Sequence, residues 1–519
     1  MKAYWLLPAA LALVAAAAPD GPGPVVATDT GRVRGIASER TEAFLAIPYA
    51  APPVGALRWR PPQRAARWSG VRDAGAIGPD CVQARDAGNP HAMAEDCLSI
   101  NVWRPASRRA GALAVVVWIH GGGYVAGGSS DPQTDGAAFA RDGIIAVTFN
   151  YRLGRLGFFG FPALSAEYPR EAKGNYGLLD QIAALQWVKR NIASFGGDPR
   201  RVTVMGESAG GESVLMLAGS PMAHGLFARA IVQSGGGAAP LLGRRLLRED
   251  AAGGVSAEKA GLAFARSTGI EGEDAAALAR LRALPAARIN DGLSMVSLVF
   301  GGLARFTGPV EDGRLVTAQP DRALRARRGA IPLLIGTTDA DLGLGRARTK
   351  DEAFAAFGDP AAARGAYDPE AQAQLAAVNT LIGADRTMTE PARRIARITA
   401  GRGVPAWRFR FGYVATPIRG KPVPGAEHAS DVAYAFGTID RAYPSGLTPQ
   451  DAEAQRLFHG YFAQFVKTGD PNGAGLPHWP RAGGAGDPLM VFRKDATASA
   501  GADPWKTRLD LTAGAAPGR

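Results

Sequence analysis

One short segment restricts the fold of this chain more than any other. The apolar run Val-Thr-Val-Met at 202–205 leads directly into Gly-Glu-Ser-Ala-Gly at 206–210. Apolar residues then recur at 214–217 with the spacing of a helix. A Gly-x-Ser-x-Gly sequence between a strand and a helix makes a sharp, strained turn that exposes the serine hydroxyl above the sheet. The segment therefore predicts an α/β sheet with Ser208 as a nucleophile at the end of a strand.

Other parts of the chain repeat the same alternation of strands and helices. Nearly continuous apolar runs are typical of strands that are covered on both faces. They occur at 113–119, 144–150, 202–205, 230–233, 331–335 and 406–411. A helical pattern spans 178–193, and Thr448-Pro449 supplies the N-cap and first-turn residues of a later helix. This order predicts an α/β fold, with a large, mostly parallel central sheet flanked by helices.

The sequence predicts a short N-terminal signal followed by one long domain. Residues 1–18 read as a signal peptide, with Lys2, an apolar stretch from Leu6 to Val14, and small residues before the cleavage point. An uncleaved hydrophobic N-terminus is the alternative. We expect 19–519 to form one domain, with the helix-rich regions 240–330 and 345–400 as insertions around the active site. The expected location is secreted or periplasmic, with no stable membrane span after signal cleavage.

Charge and cysteine content exclude several classes of protein. The 519 residues carry a net charge of +12, but no long Lys/Arg run or nucleic-acid-binding motif appears, so we expect a basic surface and no nucleic-acid partner. Two cysteines are too few for a disulfide scaffold or a cysteine-based zinc module. Export favours a disulfide between Cys81 and Cys97, with two free thiols as the alternative.

A glycine motif supplies candidate oxyanion donors. His120-Gly-Gly-Gly123 directly follows the apolar run 113–119, so three backbone amides are free of bulky side chains at the end of a strand. In acyl transfer such amides stabilise the negative oxygen of the tetrahedral intermediate. We assign this role to the amides of Gly122, Gly123 and Ala209, the last of which begins the helix after the serine.

A serine nucleophile needs a base and an acid that orients the base. The chain has six histidines: His91, His120, His224, His428, His459 and His478. The order serine, acid, histidine, typical of a strand–serine–helix turn, and a glycine-containing loop select His428. The acid should end a strand between the two, and both Asp339 and Asp341 follow the run 331–335. The residues alone leave both aspartates open.

Many ordered segments resemble type B carboxylesterases, the family of cholinesterases and bacterial para-nitrobenzyl esterases. They span nearly the whole mature chain. These segments are Phe44-Leu-Ala-Ile-Pro-Tyr-Ala, Glu95-Asp-Cys-Leu-Ser-Ile-Asn-Val, Asn150-Tyr-Arg-Leu, Gly174-Asn-Tyr-Gly-Leu-Leu-Asp-Gln, Asn191-Ile-Ala-Ser-Phe-Gly-Gly-Asp-Pro, Gly206-Glu-Ser-Ala-Gly-Gly, Gly425-Ala-Glu-His and Thr468-Gly-Asp-Pro-Asn. The resemblance implies an α/β-hydrolase fold and hydrolysis of carboxylic esters.

The resemblance also implies roles for individual residues. It places the acid at Asp341, where the family more often has glutamate, with Asp339 as the second choice. It implies that Glu207 is a buried carboxylate that modulates the site, and that Ser234 lies near the histidine without contacting substrate. Asp431 matches an acidic position of the family. For these last three, a satisfied polar group in the core is the alternative. The resemblance also pairs Cys81 with Cys97.

Together these features predict a secreted or periplasmic serine carboxylesterase that acts on a small-molecule ester without metal or organic cofactor. A specialised hydrolase of one unusual ester, carbamate or amide is the alternative, and a non-catalytic binding protein is a third. Residues 82–96 contain no tryptophan, so a cation–π cage for a quaternary ammonium of the cholinesterase kind is unsupported. Tyr124, Phe300 and Phe306 are either pocket residues or ordinary core aromatics.

Overall fold

The computed structural model describes most of the chain. The described residues are 23–84, 91–107, 111–237, 245–251, 254–300, 306–326, 329–343, 345–420, 425–484 and 486–515. The predicted signal peptide at 1–18 lies outside them. No helix within these ranges is both long enough and apolar enough to cross a bilayer.

An eleven-stranded sheet forms the centre of the molecule. Its strands are β1 (Ile36–Ala37), β2 (Thr41–Pro48), β3 (Ser99–Pro105), β4 (Leu113–Ile119), β5 (Ile145–Phe149), β6 (Gly197–Glu207), β7 (Arg229–Gln233), β8 (Leu333–Thr338), β9 (Ala406–Phe411), β10 (Pro488–Phe492) and β11 (Ala498–Ala502). Their order across the sheet is β11-β10-β9-β8-β7-β6-β4-β5-β3-β2-β1.

Strand direction divides this sheet into a parallel centre and antiparallel edges. Every pairing from β10 across to β5 is parallel. The pairings at the two edges, which join β10 to β11 and β5 through β3 and β2 to β1, are antiparallel. The predicted large, mostly parallel sheet is therefore confirmed. Two smaller sheets join Val25–Ala27, Arg32–Arg34 and Val71–Asp73, and Asp80–Cys81 with Met93–Ala94.

Helices surround the sheet. The α-helices are α1 (Ala137–Arg141), α2 (Gly154–Gly157), α3 (Pro162–Glu167), α4 (Tyr176–Asn191), α5 (Ala209–Gly219), α6 (Ala257–Ser267), α7 (Ala275–Ala283), α8 (Ala286–Ile289), α9 (Met295–Phe300), α10 (Pro320–Ala326), α11 (Lys350–Ala355), α12 (Pro360–Tyr367), α13 (Leu375–Ala384), α14 (Glu390–Gly401), α15 (Val432–Phe436), α16 (Ile439–Ala442), α17 (Pro449–Thr468) and α18 (Lys506–Ala515). A π-helix, Asp385–Thr389, joins α13 to α14. The helix-rich regions expected at 240–330 and 345–400 contain α6–α10 and α11–α14.

Strand boundaries differ from the sequence prediction where the apolar signal is weak. The run predicted at 331–335 is β8, which begins after Pro332 because proline has no amide for the ladder, and pairing starts at Leu333. It continues through the two threonines to Thr338, which pairs with Phe411 on β9. The longer strand carries the chain to the edge where the candidate acids lie.

The two faces of the sheet are both covered, which explains the continuous apolar runs. On β4, Val115 and Val117 point into one hydrophobic core, while Val116 and Trp118 point into the other. Alternate residues of a strand face opposite sides, so a strand buried on both sides must be apolar throughout. Helix α17 covers the second face, and Thr448 and Asp451 form the capping box that starts it.

Candidate active site

Ser208 occupies the turn between β6 and α5. Its backbone has φ 55° and ψ −125°, a left-handed region that a residue with a side chain adopts only under strain. The turn is held by two backbone hydrogen bonds. The Ser208 amide donates to the Gln233 carbonyl at 2.9 Å, and the Glu212 amide donates to the Ser208 carbonyl at 2.8 Å. The serine is fixed where the sequence pattern expects it.

Two glycines allow this turn to form. A Cβ on Gly206 would lie 2.5 Å from backbone atoms of Gly210, and one on Gly210 would lie 2.0 Å from the Ile119 carbonyl oxygen. Either contact is far inside van der Waals distance. Both positions therefore require glycine, because α5 returns so closely over β6 and β4.

The three amides predicted to bind the oxyanion lie in the glycine turn after β4 and at the start of α5. Gly122 and Gly123 have φ of 97° and 59°, and the Gly122 carbonyl accepts from the amides of Val125 and Ala126. Among the described residues, the amides of Gly122, Gly123 and Ala209 find no hydrogen-bond acceptor. A Cβ on the neighbouring Gly121 would lie 3.1 Å from Ser208 Cβ, which places this loop directly against the nucleophile. The arrangement suits a developing oxyanion.

His428 lies between carboxylates. Its Nδ1 is 2.6 Å from Asp341 Oδ1, and Asp341 is almost completely buried. The Ser234 hydroxyl donates to Asp341 Oδ2 at 2.6 Å, and the Leu342 amide donates to Oδ1 at 2.7 Å. These bonds fix the carboxylate, which in turn fixes the ring orientation and the tautomer with Nδ1 protonated.

Asp339, the other aspartate that the sequence left open, has a different position. Its Oδ1 accepts from the Ala426 amide at 2.6 Å, and the Ala340 amide donates to the Ala426 carbonyl at 3.0 Å. Asp339 therefore anchors the loop that carries His428, whereas Asp341 contacts the ring itself.

The second ring nitrogen faces Glu207. His428 Nε2 lies 3.1 Å from Glu207 Oε1, and neither atom has a hydrogen-bond partner among the described residues. Within the described part of the chain, no hydrogen bond joins Ser208 to His428 either. Such bonds are often long or poorly aligned in free enzymes and tighten when substrate binds.

The carboxylates shift the proton affinities of the site. Burial raises the pKa of Glu207 to about 8, against the opposing charge of His428. Burial alone would lower the pKa of His428, but the charges of Glu207 and Asp341 raise it to about 9. Burial would raise the pKa of Asp341, yet the His428 charge and hydrogen bond hold it below its usual value. Asp341 thus stays ionised, while Glu207 and His428 compete for a proton.

Asp431 is a further buried carboxyl group near the histidine. Gln233 Nε2 donates to its Oδ2 at 2.8 Å, and α15 begins immediately after it. Burial raises the pKa of Asp431 to about 6, although the Gln233 hydrogen bond opposes the shift. Its direct contact is with Gln233, so any effect of Asp431 on His428 is through charge.

A cavity of about 590 Å³ lies beside the histidine, and its lining includes Gly121, Gly122, Glu207 and His428. Of the three proposed pocket aromatics, Tyr124 is fully buried and donates to Glu212 at 2.7 Å. Phe306 is also buried in the core, and the side chain of Phe300 lies outside the described residues. Tyr124 and Phe306 are therefore core aromatics.

Two pairs of residues near the site were not predicted from the sequence: Met295 and Leu298, and Asp80 and Asp131. Helix α9 places Leu298 Cδ1 and Met295 Sδ 2.7 and 3.0 Å from where a Gly123 Cβ would lie. On the histidine side, Asp80 and Asp131 line the cavity. The α9 residues follow no recognisable motif. The one available signal for Asp80 was its position next to Cys81.

The two cysteines are joined in a disulfide at a sequence separation of 16. Asp80 immediately precedes the loop that this disulfide closes. Among the described residues, no group of three or more His, Cys, Asp or Glu side chains has the arrangement of a metal site.

Comparison with known proteins identifies the family. The sequence profile of the Carboxylesterase family matches residues 22–359 and 349–508. The chain belongs to the carboxylesterase family. Among its relatives, the fumonisin B1 esterase of Sphingopyxis macrogoltabida is 34% identical, with 94% of this chain and 90% of the relative covered. The para-nitrobenzyl esterase of Bacillus subtilis strain 168 is 33% identical, with 88% and 92% covered.

Solved structures of this family have the same architecture. A para-nitrobenzyl esterase structure superimposes with a TM-score of 0.78 at 30% identity, covering 94% of this chain and 99% of its own. The α/β-hydrolase fold that the sequence resemblance implied is therefore confirmed. The relatives are esterases, and membership of the carboxylesterase family supports a carboxylic ester hydrolase.

Proposed function

We propose that this carboxylesterase family member is a secreted or periplasmic serine hydrolase of small-molecule carboxylic esters that works through an acyl-enzyme. Its domain extends over 19–519, behind a signal peptide at 1–18. The observation that carries the proposal is the Asp341–His428 contact of 2.6 Å beside a serine held in a strained elbow.

In the first half of the reaction, Ser208 Oγ attacks the ester carbonyl carbon while His428 Nε2 takes the hydroxyl proton. The carbonyl oxygen becomes negative and accepts from the amides of Gly122, Gly123 and Ala209. The carbon–oxygen bond to the alcohol then breaks, and His428 gives its proton to the departing alcohol oxygen.

In the second half, water attacks the acyl-enzyme and gives a proton to His428. The tetrahedral intermediate forms again on the same three amides. Its collapse releases the carboxylic acid and returns the proton to Ser208. Asp341 remains ionised throughout and stabilises the charged imidazole ring.

The test is the variant Ser208→Ala with a para-nitrophenyl ester. We expect kcat to fall by roughly 10⁴–10⁶, because the nucleophile and its base act as one unit. Covalent labelling of the wild type by an organophosphonate should require the same serine. Full activity in the variant would refute the proposal. A wild type that neither reacts with the organophosphonate nor hydrolyses esters would favour a non-catalytic binding protein.

A specialised hydrolase of one unusual ester, carbamate or amide is the second candidate. The 34% identity with a fumonisin B1 esterase over 94% of this chain favours it. The mechanism would be the same, and only the pocket would differ. A panel of esters, carbamates and amides that vary in acyl and alcohol size separates the two: a general esterase accepts many, whereas a specialised enzyme prefers one by several orders of magnitude in kcat/KM.

A further inference from the structure

The loop that carries Asp341 lies against the junction of two helices. Asp341 comes three residues after the end of β8, and the chain continues through Gly343. A Cβ on Gly343 would lie 1.8 Å from the Thr380 carbonyl oxygen and 2.5 Å from the Ala384 amide nitrogen, where α13 ends. The π-helix Asp385–Thr389 begins at the next residue. The acid loop is therefore in direct contact with the start of the π-helix.

Thr387 joins the π-helix to the acid loop through its side chain. Its hydroxyl donates to two carbonyl oxygens, that of Leu342 at 3.1 Å and that of Gly383 at 2.9 Å. The amide of the same Leu342 donates to Asp341 Oδ1 at 2.7 Å. Asp341 Oδ1 is also the atom that contacts His428 Nδ1. A single residue, Leu342, therefore separates the Thr387 hydroxyl from the carboxylate oxygen that orients the histidine.

Thr380 on α13 shows the ordinary arrangement of a threonine in a helix. Its hydroxyl donates to the Ala376 carbonyl, four residues earlier, at 2.9 Å. Thr387 makes the equivalent bond to Gly383 and adds the bond to Leu342. Segments of π-helix are rare and occur frequently at functional sites. The additional bond is thus a feature of the π-helix and not of threonine in general.

The π-helix is itself firmly held. Its first residue, Asp385, is fully buried and accepts from Nε and Nη2 of Arg508 on α18, both at 2.9 Å. The Tyr367 hydroxyl donates to the same carboxylate at 2.9 Å. Bidentate bonds from arginine fix the geometry of a carboxylate as well as adding energy. Thr387 therefore extends from an element with little freedom to move, and its hydroxyl can hold a loop in place.

We propose that Thr387 is a positioning residue of the hydrolysis, which holds the Asp341 loop beside His428 through the Leu342 carbonyl. This role presupposes the proposed ester hydrolysis. An aspartate has one methylene between backbone and carboxylate, so the position of its carboxylate follows that of its backbone closely. Loss of the Thr387 hydroxyl frees the loop and weakens the stabilisation of the charged imidazole ring that forms during the reaction.

Three variants test this role. Thr387→Val keeps the shape of the side chain and removes the hydroxyl, whereas Thr387→Ser keeps the hydroxyl. Thr380→Val is the matched control, because it removes the same bond within a helix from a threonine whose hydroxyl bonds to its own helix. Both threonines are exposed, so these changes leave the core intact.

The activity is measured with a para-nitrophenyl ester. In Thr387→Val we expect kcat to fall about fivefold, the size of one neutral hydrogen bond, with KM unchanged. Thr387→Ser and Thr380→Val should keep the wild-type kcat. Titration of the reactive serine with an organophosphonate gives the concentration of functional enzyme, so a loss caused by misfolding is removed from kcat.

The pH profile is a measurement that a loss of stability alone would leave unchanged. Burial lowers the pKa of His428, and the charges of Glu207, Asp341 and Asp431 raise it. A looser contact with Asp341 weakens one of these charges, so the pKa of His428 decreases. The acidic limb of kcat/KM in Thr387→Val should therefore move to lower pH, while that of Thr380→Val should stay in place.

The Asp341→Asn background decides whether the effect passes through the acid. The orienting carboxylate is already absent there, so adding Thr387→Val should cause no further loss of kcat. A further fivefold loss in this background would overturn the proposal. So would a loss in Thr387→Ser as large as that in Thr387→Val, since packing and not the hydroxyl would then be the cause.

Failure of this role is distinguishable from failure of the proposed function. Activity retained in Ser208→Ala refutes the serine-hydrolase mechanism. An active wild type whose kcat and acidic limb are both unchanged in Thr387→Val refutes only the positioning role of Thr387.

Discussion

Glu207 Oε1 lies 3.1 Å from His428 Nε2, on the side of the ring opposite Asp341. The histidine is therefore placed between two buried carboxyl groups, one at each ring nitrogen. Asp341 is ionised and orients the ring, while Glu207 competes for the proton that the ring must receive from serine. The proton affinity of the base depends on both neighbours.

The first prediction concerns the pH dependence of activity. The charges of Glu207 and Asp341 raise the pKa of His428 to about 9, and the base works only when it is neutral. Activity should therefore fall as the pH decreases through the pKa of His428. In Glu207→Gln one negative charge is removed, so that pKa decreases and the acidic limb of kcat/KM should move to lower pH.

The control for this prediction is Glu427→Gln. Glu427 is the residue before His428 but is exposed, and water screens its charge from the ring. The acidic limb of kcat/KM in Glu427→Gln should match that of the wild type. An acidic limb that stays in place in Glu207→Gln would show that Glu207 does not influence the base.

The second prediction separates the two aspartates that follow β8. Asp341→Asn should lower kcat by about 10⁴, because an amide at this position favours the wrong tautomer of the histidine. Asp339→Asn should cause a much smaller loss, since Asp339 contacts the loop backbone at Ala426. Steady-state kinetics of both variants decide between them. Equal losses would mean that the position of the loop, and not the ring contact, limits the rate.

The third prediction concerns the oxyanion donors. Gly123→Ala should lower kcat by about 10²–10³, the usual effect of losing one donor. A Cβ here would press on Leu298 and Met295, and its φ of 59° is strained for alanine, so the amide should shift. The control is Gly225→Ala, which has a similar φ of 75° with nothing near the added carbon. If both variants lost the same activity, general strain would be the cause.

The fourth prediction concerns the disulfide. Replacing both Cys81 and Cys97 by serine should lower the free energy of unfolding by about 3 kcal/mol, the typical value for a loop of this length. Denaturant unfolding measures this change. Hydrolysis of a para-nitrophenyl ester should persist, because neither cysteine takes part in the proposed reaction. An unchanged free energy of unfolding would contradict the structural role given to this disulfide.

Local sequence patterns were sufficient to predict most of the strands and helices of the fold. The apolar run at 113–119 is the strand β4 without change, and the helix predicted at 178–193 is α4, Tyr176–Asn191. These segments were predictable because burial on both faces, or on one helical face, leaves its mark on neighbouring residues. The end of β8 was missed because its last residues, Gly336 to Thr338, are not an apolar run, and of these Thr337 and Thr338 have their strand partners on β9.

The sequence by itself determined the elements whose conformation depends on adjacent residues: the elbow at Ser208, the glycine turn at Gly122 and Gly123, and the order of strands and helices. Only the tertiary structure decided which aspartate meets His428, that Glu207 faces the other ring nitrogen, and that Asp80 and Asp131 share its cavity. Asp341 and His428 are 87 residues apart, and their contact depends on how β8 and β9 pair and where the following loops meet. Such long-range contacts are set by the packing of the whole sheet, and no local pattern records them.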